Sequence, residues 1–405
     1  MGRGPAAAPS QPPLPSGGVI VEHGLYVHLP YCRSLCPYCA FAKAPLHRAE
    51  PERLLRALRA EWALAREDDG RWGRPRTIFF GGGTPTALAL GSLRDLLAWI
   101  GDAFDLSRVR EWTAEANPEG LTDEKLAVLR RGGVDRLSLG IQSLEPVVLR
   151  ALGRIHSPTA ALDAIARARR AAFTNVSIDL MVAVPGETPA GVRHAVETVV
   201  DLGVPHLSVY SLQVEEGTPL SAKVARGALE APDEEVAAAR YEEIGEILGR
   251  AGYVHYEVSN WALPGFESRH NQGYWARRPY LGLGPGAHSF DGVERWRNEE
   301  GVTRYYERVE QGSLPRDERA ALSPRDDAEE RIMLGLRRAR GLRRIELERL
   351  AGPVAARWSE WAAGAGAVRL DPPGRVRPTD RGLLLAQEIA AELLARMSEA
   401  PPAPA

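Results

Sequence analysis

The sequence predicts an α/β protein with a parallel sheet curved into a barrel or partial barrel, followed by a smaller α+β unit. From residue 24 onward, short apolar runs of strand length alternate with amphipathic stretches of helical length. This alternation is typical of parallel strands joined by helical crossovers. Cysteines, glycines and unusual polar residues stand at the ends of these runs. Because the carboxyl ends of parallel strands meet at one rim of a barrel, we expect a site there.

Length and composition set the domain plan. The 405 residues are enough for a large core and more than one domain. We assign residues 24–300 to the barrel and 310–397 to the second unit. The segments 1–23 and 398–405 are rich in Pro, Ala, Gly and Ser, so we expect disordered tails. The net charge of −2 gives no reason to expect nucleic-acid binding, and no apolar run reaches the length of a membrane span.

Six strands and their crossover helices follow in order. We predict strands at Leu25–Leu29, Thr77–Phe80, Glu111–Ala116, Arg136–Ile141, Val176–Val182 and His206–Val214. Helices are predicted at Pro51–Arg66, within 93–100, from Thr122, at 160–172, at 190–202 and at Pro232–Ala251, with a further strand at Tyr253–Ser259.

All three cysteines of the chain, Cys32, Cys36 and Cys39, lie in the loop after the first predicted strand. Three small buried hydrophobes are one interpretation, and a disulfide is another, although the number is odd and no secretory signal is present. Thiolates at this spacing otherwise select zinc, cuprous copper or an iron–sulfur cluster. Zinc would need a fourth protein ligand, and no second Cys pair or His-x-x-x-His completes such a site.

A cubane cluster fits three thiolates, since its fourth iron then remains open to an exchangeable ligand. The spacing of the cysteines, with Tyr38 just before the last, resembles that of the radical S-adenosylmethionine (SAM) proteins. The resemblance implies that the methionine end of SAM chelates the open iron and that the cluster reduces SAM to a 5′-deoxyadenosyl radical. The cofactor carries that chemistry.

Glycines follow the second strand. The Gly81–Gly83 run lets backbone groups approach a ligand where a Cβ would clash. The resemblance implies that this turn binds the methionine amino group of SAM. A second glycine-rich stretch, 282–289, lacks a good preceding strand, and Pro285 removes one amide donor. We therefore reject a dinucleotide site there and expect a tight loop packed under the barrel mouth.

Longer stretches resemble the oxygen-independent coproporphyrinogen oxidase family. They are Tyr-Val-His-Leu-Pro-Tyr-Cys at 26–32, Phe-Phe-Gly-Gly-Gly-Thr-Pro-Thr at 79–86, Glu-Ala-Asn-Pro-Glu at 115–119, Leu-Gly-Ile-Gln-Ser at 139–143 and Asp-Leu-Met at 179–181. The resemblance runs from about residue 20 to 390. It implies a partial (β/α)6 radical-SAM barrel with a C-terminal domain.

The family contains oxidases of porphyrin biosynthesis and HemW-type heme chaperones, and three features favour the chaperones. Ala40 follows Cys39, whereas the sequence of the oxidases at this point resembles Cys-Gly-Cys. The chain begins only about two dozen residues before the barrel. His-Asn-Gln-Gly-Tyr-Trp at 270–275 resembles the chaperones' His-Asn-x-x-Tyr-Trp heme motif. His270 would then be an axial ligand, since imidazole suits heme iron; a loop histidine with an ordinary hydrogen bond is the alternative.

The resemblance implies a set of site residues. Cys32, Cys36 and Cys39 would hold a [4Fe-4S] cluster. SAM contacts would come from Tyr26, Tyr38, Gly83, Thr84, Glu115, Gln142, Arg154, Asp179 and Gln213. His270 would bind heme. The expected function is heme binding and transfer to an acceptor protein in the cytoplasm, with an electron donor for the cluster. Coproporphyrinogen III oxidation remains the alternative.

The sequence predicts helices and one β-hairpin in the second unit. Helices are predicted at Asp326–Arg340, near 345–362 and at Leu383–Met397, with a hairpin at Ala367–Arg377. This order is similar to a winged helix. Arginines at 337, 338, 340, 343 and 344 allow a DNA-binding interpretation, but the chain is arginine-rich throughout and acidic overall. We therefore expect a capping or docking module that could face an acidic protein partner.

Overall fold

The computed structural model describes residues 22–371 and 374–399. The predicted disordered tails fall outside these ranges, except at their inner ends. There the structure differs from the prediction: His23 already begins the first strand, and residues 398–399 complete the last helix. In the described part of the chain, no helix has both the length and the apolar composition needed to cross a bilayer.

Six parallel strands form the centre of the molecule in chain order. They are β1 (His23–Leu29), β2 (Pro75–Gly82), β3 (Glu111–Ala116), β4 (Arg136–Gln142), β5 (Asn175–Val182) and β6 (His206–Ser211). Each pairs with the next in parallel. The registers align Leu25 with Ile78 and Ala116 with Leu139, so the strand ends form one rim. The predicted partial barrel is confirmed.

Helices cover the outside of this sheet. They are α1 (Pro51–Asp68), α2 (Leu90–Ala103), α3 (Asp123–Arg131), α4 (Pro158–Arg170), α5 (Pro189–Asp201) and α6 (Glu234–Arg250), with shorter helices at Pro146–Ala151 and Pro219–Ala225. Alternate strand residues such as Leu25, Val27 and Leu29 pack outward against the helices and are fully buried. The intervening residues, which include Tyr26 and His28, face the barrel interior, because neighbouring side chains alternate across a strand.

Further strands, antiparallel except for the one beside β1, extend the sheet at both edges. Beyond β6 lie β7 (Val254–Glu257) and β8 (Asn260–Ala262), which form a hairpin where the sequence predicted one strand at 253–259. The helix α7 (Arg269–Trp275) follows. Beyond β1 lie β9 (Tyr280–Leu283), β10 (His288–Phe290), β11 (Glu294–Asn298) and β12 (Arg316–Ala321), with α8 (Val302–Glu310) inserted.

The expectation that no good strand precedes the glycine-rich stretch 282–289 is wrong, since β9 leads into it and pairs in parallel with β1. The following turn packs on the cysteine loop, because a Cβ on Gly286 would lie 2.7 Å from the Cβ of Ala42. Gly284 lies against the backbone of His28, where a Cβ would be 2.5 Å from the carbonyl oxygen. The prediction of a tight loop at the barrel mouth agrees with this packing.

The second unit has its own core, built around Trp358, Leu347 and Ile332. Its elements are α9 (Pro324–Leu336), α10 (Arg344–Ala351), α11 (Val354–Gly364), β13 (Val368–Asp371), β14 (Arg375–Pro378) and α12 (Ala386–Glu399), with a short helix at Asp380–Leu384 and a short strand at Leu342–Arg343 that pairs with β14. The single helix expected near 345–362 is wrong. Gly352, with φ +62°, and Pro353 divide it into α10 and α11.

Main-chain hydrogen bonds join the second unit to the barrel. The amide of Val258 donates to the carbonyl of Arg337, and the amide of Ala339 donates to the carbonyl of Tyr256. The segment thus covers the free edge of β7, which would otherwise offer unpaired backbone groups. The Arg337 guanidinium also lies 6.0 Å from the centroid of the Trp275 ring. At least this part of the arginine-rich segment contacts the barrel, as expected of a docking module.

Candidate functional site

The carboxyl ends of the six parallel strands open into one cleft of about 720 Å³. All three cysteines line it, together with eight of the residues that the sequence assigned to cofactor binding: Tyr38, Gly83, Thr84, Glu115, Gln142, Arg154, Asp179 and Gln213. These residues come from seven different segments of the chain. The predicted convergence at the rim is therefore what the structure shows.

Backbone contacts hold the cysteine loop against the glycine turn. The amide of Gly83 donates to the carbonyl of Leu29, and the amide of Thr84 donates to the carbonyl of Tyr31. A Cβ on Gly83 would lie 2.6 Å from the Leu29 oxygen, so only glycine fits. The imidazole Nε2 of His28 lies 2.7 Å from the Ala42 carbonyl and secures the far end of the loop. Burial lowers the pKa of His28 to about 4, which keeps the ring neutral.

The three thiols are free and half-buried. Within residues 22–371 and 374–399, no three His, Cys, Asp or Glu side chains converge on a single metal ion. A cubane cluster does not need that convergence, because each thiolate binds a different iron. Burial raises the pKa of the Cys32 thiol to about 11, so cation binding there must displace a firmly held proton. Three soft donors around one cleft, without a fourth, fit a cluster with one open iron.

Polar groups face two of the sulfur atoms. The Thr84 hydroxyl lies 3.9 Å from Cys32 Sγ, and Nη1 of Arg154 lies 3.6 Å from Cys36 Sγ. Asn117 stands between these two donors, with Nδ2 2.9 Å from the Thr84 hydroxyl oxygen and Oδ1 2.5 Å from Nη2 of Arg154. On the other side, the Lys43 ammonium donates to the carbonyls of Cys36 and Cys39. Donors thus surround the loop that carries the cysteines.

Two acids lie deeper in the cleft. Burial and the neighbouring Asp179 raise the pKa of Glu115 to about 8, although the amide of Gly82 donates to its carboxyl group. Burial also raises the pKa of Asp179, which accepts a hydrogen bond from Ser138. Two carboxyl groups held in a buried polar cleft are suited to binding a cationic or hydroxyl-rich ligand, which would supply the charge or donors that they lack.

Gln142 reaches the cleft through an irregular strand end. Its φ is +62°, which is rare for a residue with a side chain, and the pairing of β4 with β5 shifts register between Gly140 and Gln142. Such a bulge re-aims a side chain at the end of a strand. A Cβ on Gly140 would lie 2.9 Å from the Gln142 amide nitrogen. Glycine at 140 therefore leaves room for this side chain.

Tyr26 is not among the residues that line the cleft. It lies inside the barrel, where its hydroxyl is 3.0 Å from Nδ1 of His28 and its ring faces Phe79 at 6.1 Å. Its burial raises its pKa well above the ordinary value, so the phenol stays protonated. In this structure Tyr26 supports His28, and thereby the cysteine loop.

The structure does not bring His270 to the cleft. Its Nδ1 lies 2.8 Å from the hydroxyl of Thr77, near the start of β2, and its backbone amide donates to Glu111, the first residue of β3. It therefore closes the opposite end of the barrel. The ring is 3% exposed and stacks on Phe79, and Nε2 lies 2.8 Å from the Tyr274 hydroxyl. Both ring nitrogens are engaged within the protein, so this conformation presents no free imidazole lone pair to iron.

Sequence reasoning missed two residues that position other groups. Glu111 accepts hydrogen bonds from the amides of Arg269 and His270 and so caps the first turn of α7. Nothing in the sequence links a strand residue to a helix 158 positions later. Asn117 is the second such residue: it lies within the Glu-Ala-Asn-Pro-Glu stretch at 115–119, but the sequence alone assigns it no role. Its position directly after a strand, two residues beyond Glu115, could have indicated that it reaches the cleft.

Comparisons with known proteins agree with this geometry. A sequence profile of the radical SAM superfamily matches residues 26–199. The chain is 42% identical over 316 residues to the heme chaperone HemW of Mycobacterium tuberculosis, covering 77% of this chain and 79% of that one. It is 36% identical over 320 residues to the heme chaperone HemW of Bacillus subtilis, covering 78% and 84%. The solved structure of the coproporphyrinogen III oxidase HemN from Escherichia coli aligns with a TM-score of 0.77 at 23% identity, covering 93% and 91%. That likeness concerns the fold.

Proposed function

Because the chain belongs to the HemW family of radical SAM proteins, we propose that it is a heme chaperone, which binds heme and transfers it to an acceptor protein from a scaffold that holds a [4Fe-4S] cluster and SAM. The observation that carries this proposal is the identity of 36–42% to proteins named heme chaperone HemW over more than three quarters of the chain. The free cysteines are consistent with a reducing compartment, and we propose the cytoplasm.

The cleft supports the cluster and SAM part of the proposal. Cys32, Cys36 and Cys39 would hold the cluster, and the residues around Glu115 and Asp179 would hold SAM. When bound, the cluster supplies an electron for reductive cleavage of SAM. The protein contributes the donors near the sulfurs, the two buried acids and the glycine turn.

Heme ligation by His270 remains part of the proposal, but it requires a change in the position of α7. Burial lowers the pKa of His270 to about 3, so the ring is neutral and retains a lone pair for iron. That lone pair becomes available only if α7 moves far enough to part Nε2 from the Tyr274 hydroxyl. Thr77, on the other nitrogen, would then hold the ring orientation, as partners of metal-bound histidines commonly do.

The alternative function is coproporphyrinogen III oxidation, and one experiment distinguishes it from heme binding and transfer. Protein reconstituted anaerobically with iron and sulfide is titrated with heme, and the same preparation is incubated with coproporphyrinogen III, SAM and a reductant. We expect about one heme per chain and no multiple-turnover product. Robust turnover without stoichiometric heme would replace the chaperone with the oxidase. A preparation that does neither would contradict both functions.

A further inference from the structure

Asn117 joins the two hydrogen-bond donors that face the cysteine sulfurs. We propose that Asn117 is a positioning residue that raises the reduction potential of the cluster, by fixing the Arg154 guanidinium on Cys36 and leaving the Thr84 hydroxyl free to donate to Cys32. This inference rests on the cluster part of the proposed function, but it does not depend on heme. It assigns a role to a residue that binds neither the cluster nor, by the resemblance, SAM.

Hydrogen-bonding capacities determine how the amide of Asn117 is oriented. The Arg154 guanidinium can only donate, so the atom of Asn117 that faces it must be the oxygen. Nδ2 must then face Thr84 and donate to its hydroxyl oxygen. The single hydroxyl hydrogen of Thr84 is thereby left for another acceptor, and Cys32 Sγ is 3.9 Å away. One planar amide thus fixes two donors at once.

The guanidinium of Arg154 is held from two sides. Nη2 donates to Asn117 Oδ1 at 2.5 Å and to the Gly140 carbonyl at 2.6 Å, which leaves Nη1 directed at Cys36 Sγ at 3.6 Å. A Cβ on Gly140 would lie 2.7 Å from Asn117 Oδ1, so the glycine makes room for the amide. The side chain of Asn117 therefore occupies a fitted place between β3 and β4.

Electrostatics give the direction of the effect. Reduction adds an electron to a cluster whose thiolates already carry negative charge. Donors and positive charge at the sulfurs stabilise the reduced form, so they raise the reduction potential. The effect is stronger in a partly buried cleft than in water, because the local dielectric constant is lower. Loss of the Asn117 contacts leaves Arg154 and Thr84 free to turn away from the sulfurs and should lower the potential.

Two substitutions test whether Asn117 positions the two donors or only fills space between the strands. Asn117→Ala removes both contacts. Asn117→Asp keeps the shape and still binds Arg154, but a carboxylate only accepts, so the Thr84 hydrogen turns toward it and away from Cys32. The added negative charge also offsets the guanidinium. Both variants should therefore have a lower potential than the wild type, although only one of them leaves a void.

The test is an anaerobic redox titration of the reconstituted full-length protein, followed by electron paramagnetic resonance of the reduced cluster. Iron and sulfide content are measured on the same samples. We expect the reduction equilibrium constant to fall about tenfold in each variant, which for a one-electron couple corresponds to about 59 mV. The matched control is Asn175→Ala, since Asn175 begins β5 at the opposite end of the barrel and should leave the potential unchanged.

The outcomes are distinct. Lowered potentials in Asn117→Ala and Asn117→Asp, with normal iron content, support the role. Potentials equal to those of the wild type and of Asn175→Ala, in clusters of normal content, overturn it while the cluster assignment stands. If Asn117→Ala does not retain a cluster, Asn117→Leu, which fills the space without polar atoms or added charge, decides by the same criterion. A wild-type protein that assembles no cluster overturns both this inference and the cluster part of the proposed function.

Discussion

At the scale of single residues, the cysteine loop is held by one nearby side chain and faced by others that lie far from it in sequence. Thr84 and Arg154 face two of the sulfurs, and Lys43 binds the carbonyls of the loop itself. The cysteines could be singled out from sequence as candidate cluster ligands because soft thiolates at close spacing are rare and chemically specific. Only some of the donors around the cysteines could be predicted, since the hydrogen-bond partners depend on how the strand ends converge in three dimensions.

Cys36→Ala should abolish stable cluster binding, since two thiolates leave two irons without a protein ligand. Anaerobic reconstitution of the wild type should give about four irons per chain, and the variant should lose most of the iron and the visible absorption. Ser34→Ala, in the same loop, is the control and should keep both. An unchanged spectrum and iron content in Cys36→Ala would refute the ligand assignment.

Glu115→Ala should weaken SAM binding at least tenfold while cluster content stays normal, because Glu115 lines the cleft from a different strand than the cysteines. Equilibrium binding of SAM to the reconstituted protein measures the effect. Glu124→Ala is the matched control, since Glu124 is exposed on α3 and is not a lining residue of the cleft. Equal affinities in the wild type and Glu115→Ala would remove Glu115 from the SAM site.

The two contacts of His270 allow a pair of opposed predictions. His270→Ala should weaken heme binding at least tenfold, since the proposed ligand is lost. Tyr274→Phe should strengthen it, because Nε2 no longer competes with the hydroxyl at 2.8 Å. Heme titrations followed by absorbance measure both, with cluster content as the control for folding. Unchanged heme affinity in both variants would show that the iron is bound elsewhere.

At the scale of elements, α1 is fastened to the turn after β9 by one buried acid. Glu61 accepts hydrogen bonds from the amide of Gly284, the side-chain amide of Asn298 and the hydroxyl of Tyr305. Burial nevertheless raises the pKa of Glu61 from 4.5 to about 7. The folded protein therefore keeps a proton that the unfolded chain releases above pH 4.5. The stabilising contribution is complete below that pH and is lost as the pH rises to about 7.

Glu61→Gln should remove this pH dependence, because an amide does not titrate. Between pH 4.5 and 7, the unfolding free energy of the wild type should fall relative to that of the variant by up to about 3 kcal/mol. Urea unfolding at several pH values measures the difference. Glu67→Gln, at an exposed position on the same helix, should follow the wild-type curve. Parallel curves for the wild type and Glu61→Gln would contradict the buried titration.

Elements differ in how well their sequence reveals them. Glu111–Ala116 has the predicted bounds because buried Trp112, Ala114 and Ala116 alternate with polar residues, and a Pro-containing turn follows. The strand at Tyr280–Leu283 was missed, since four residues with two leucines and a glycine carry little local signal and are defined by pairing with β1. The break between α10 and α11 was also missed, although Gly352 and Pro353 together are a common end for a helix.

At the scale of the whole molecule, the barrel has two ends with different roles. The carboxyl ends of the strands carry the cysteine cleft, and their amino ends are closed by α7, with Glu111 as its cap. The first end followed from the order of motifs along the chain. The second could not, because His270 belongs to no parallel strand and its position depends on contacts with Thr77 and Glu111. A carrier with heme at α7 and a cluster at the rim would hold its two groups at opposite ends.

Heme transfer tests the chaperone function most directly. Reconstituted protein loaded with one heme per chain is mixed with a heme-free b-type cytochrome, and the Soret band of the cytochrome is followed. Apparent heme delivery should approach one equivalent, and the same protein should give no multiple-turnover conversion of coproporphyrinogen III with SAM and reductant. Heme that never leaves the protein, or robust porphyrinogen turnover in place of heme binding, would contradict a heme chaperone.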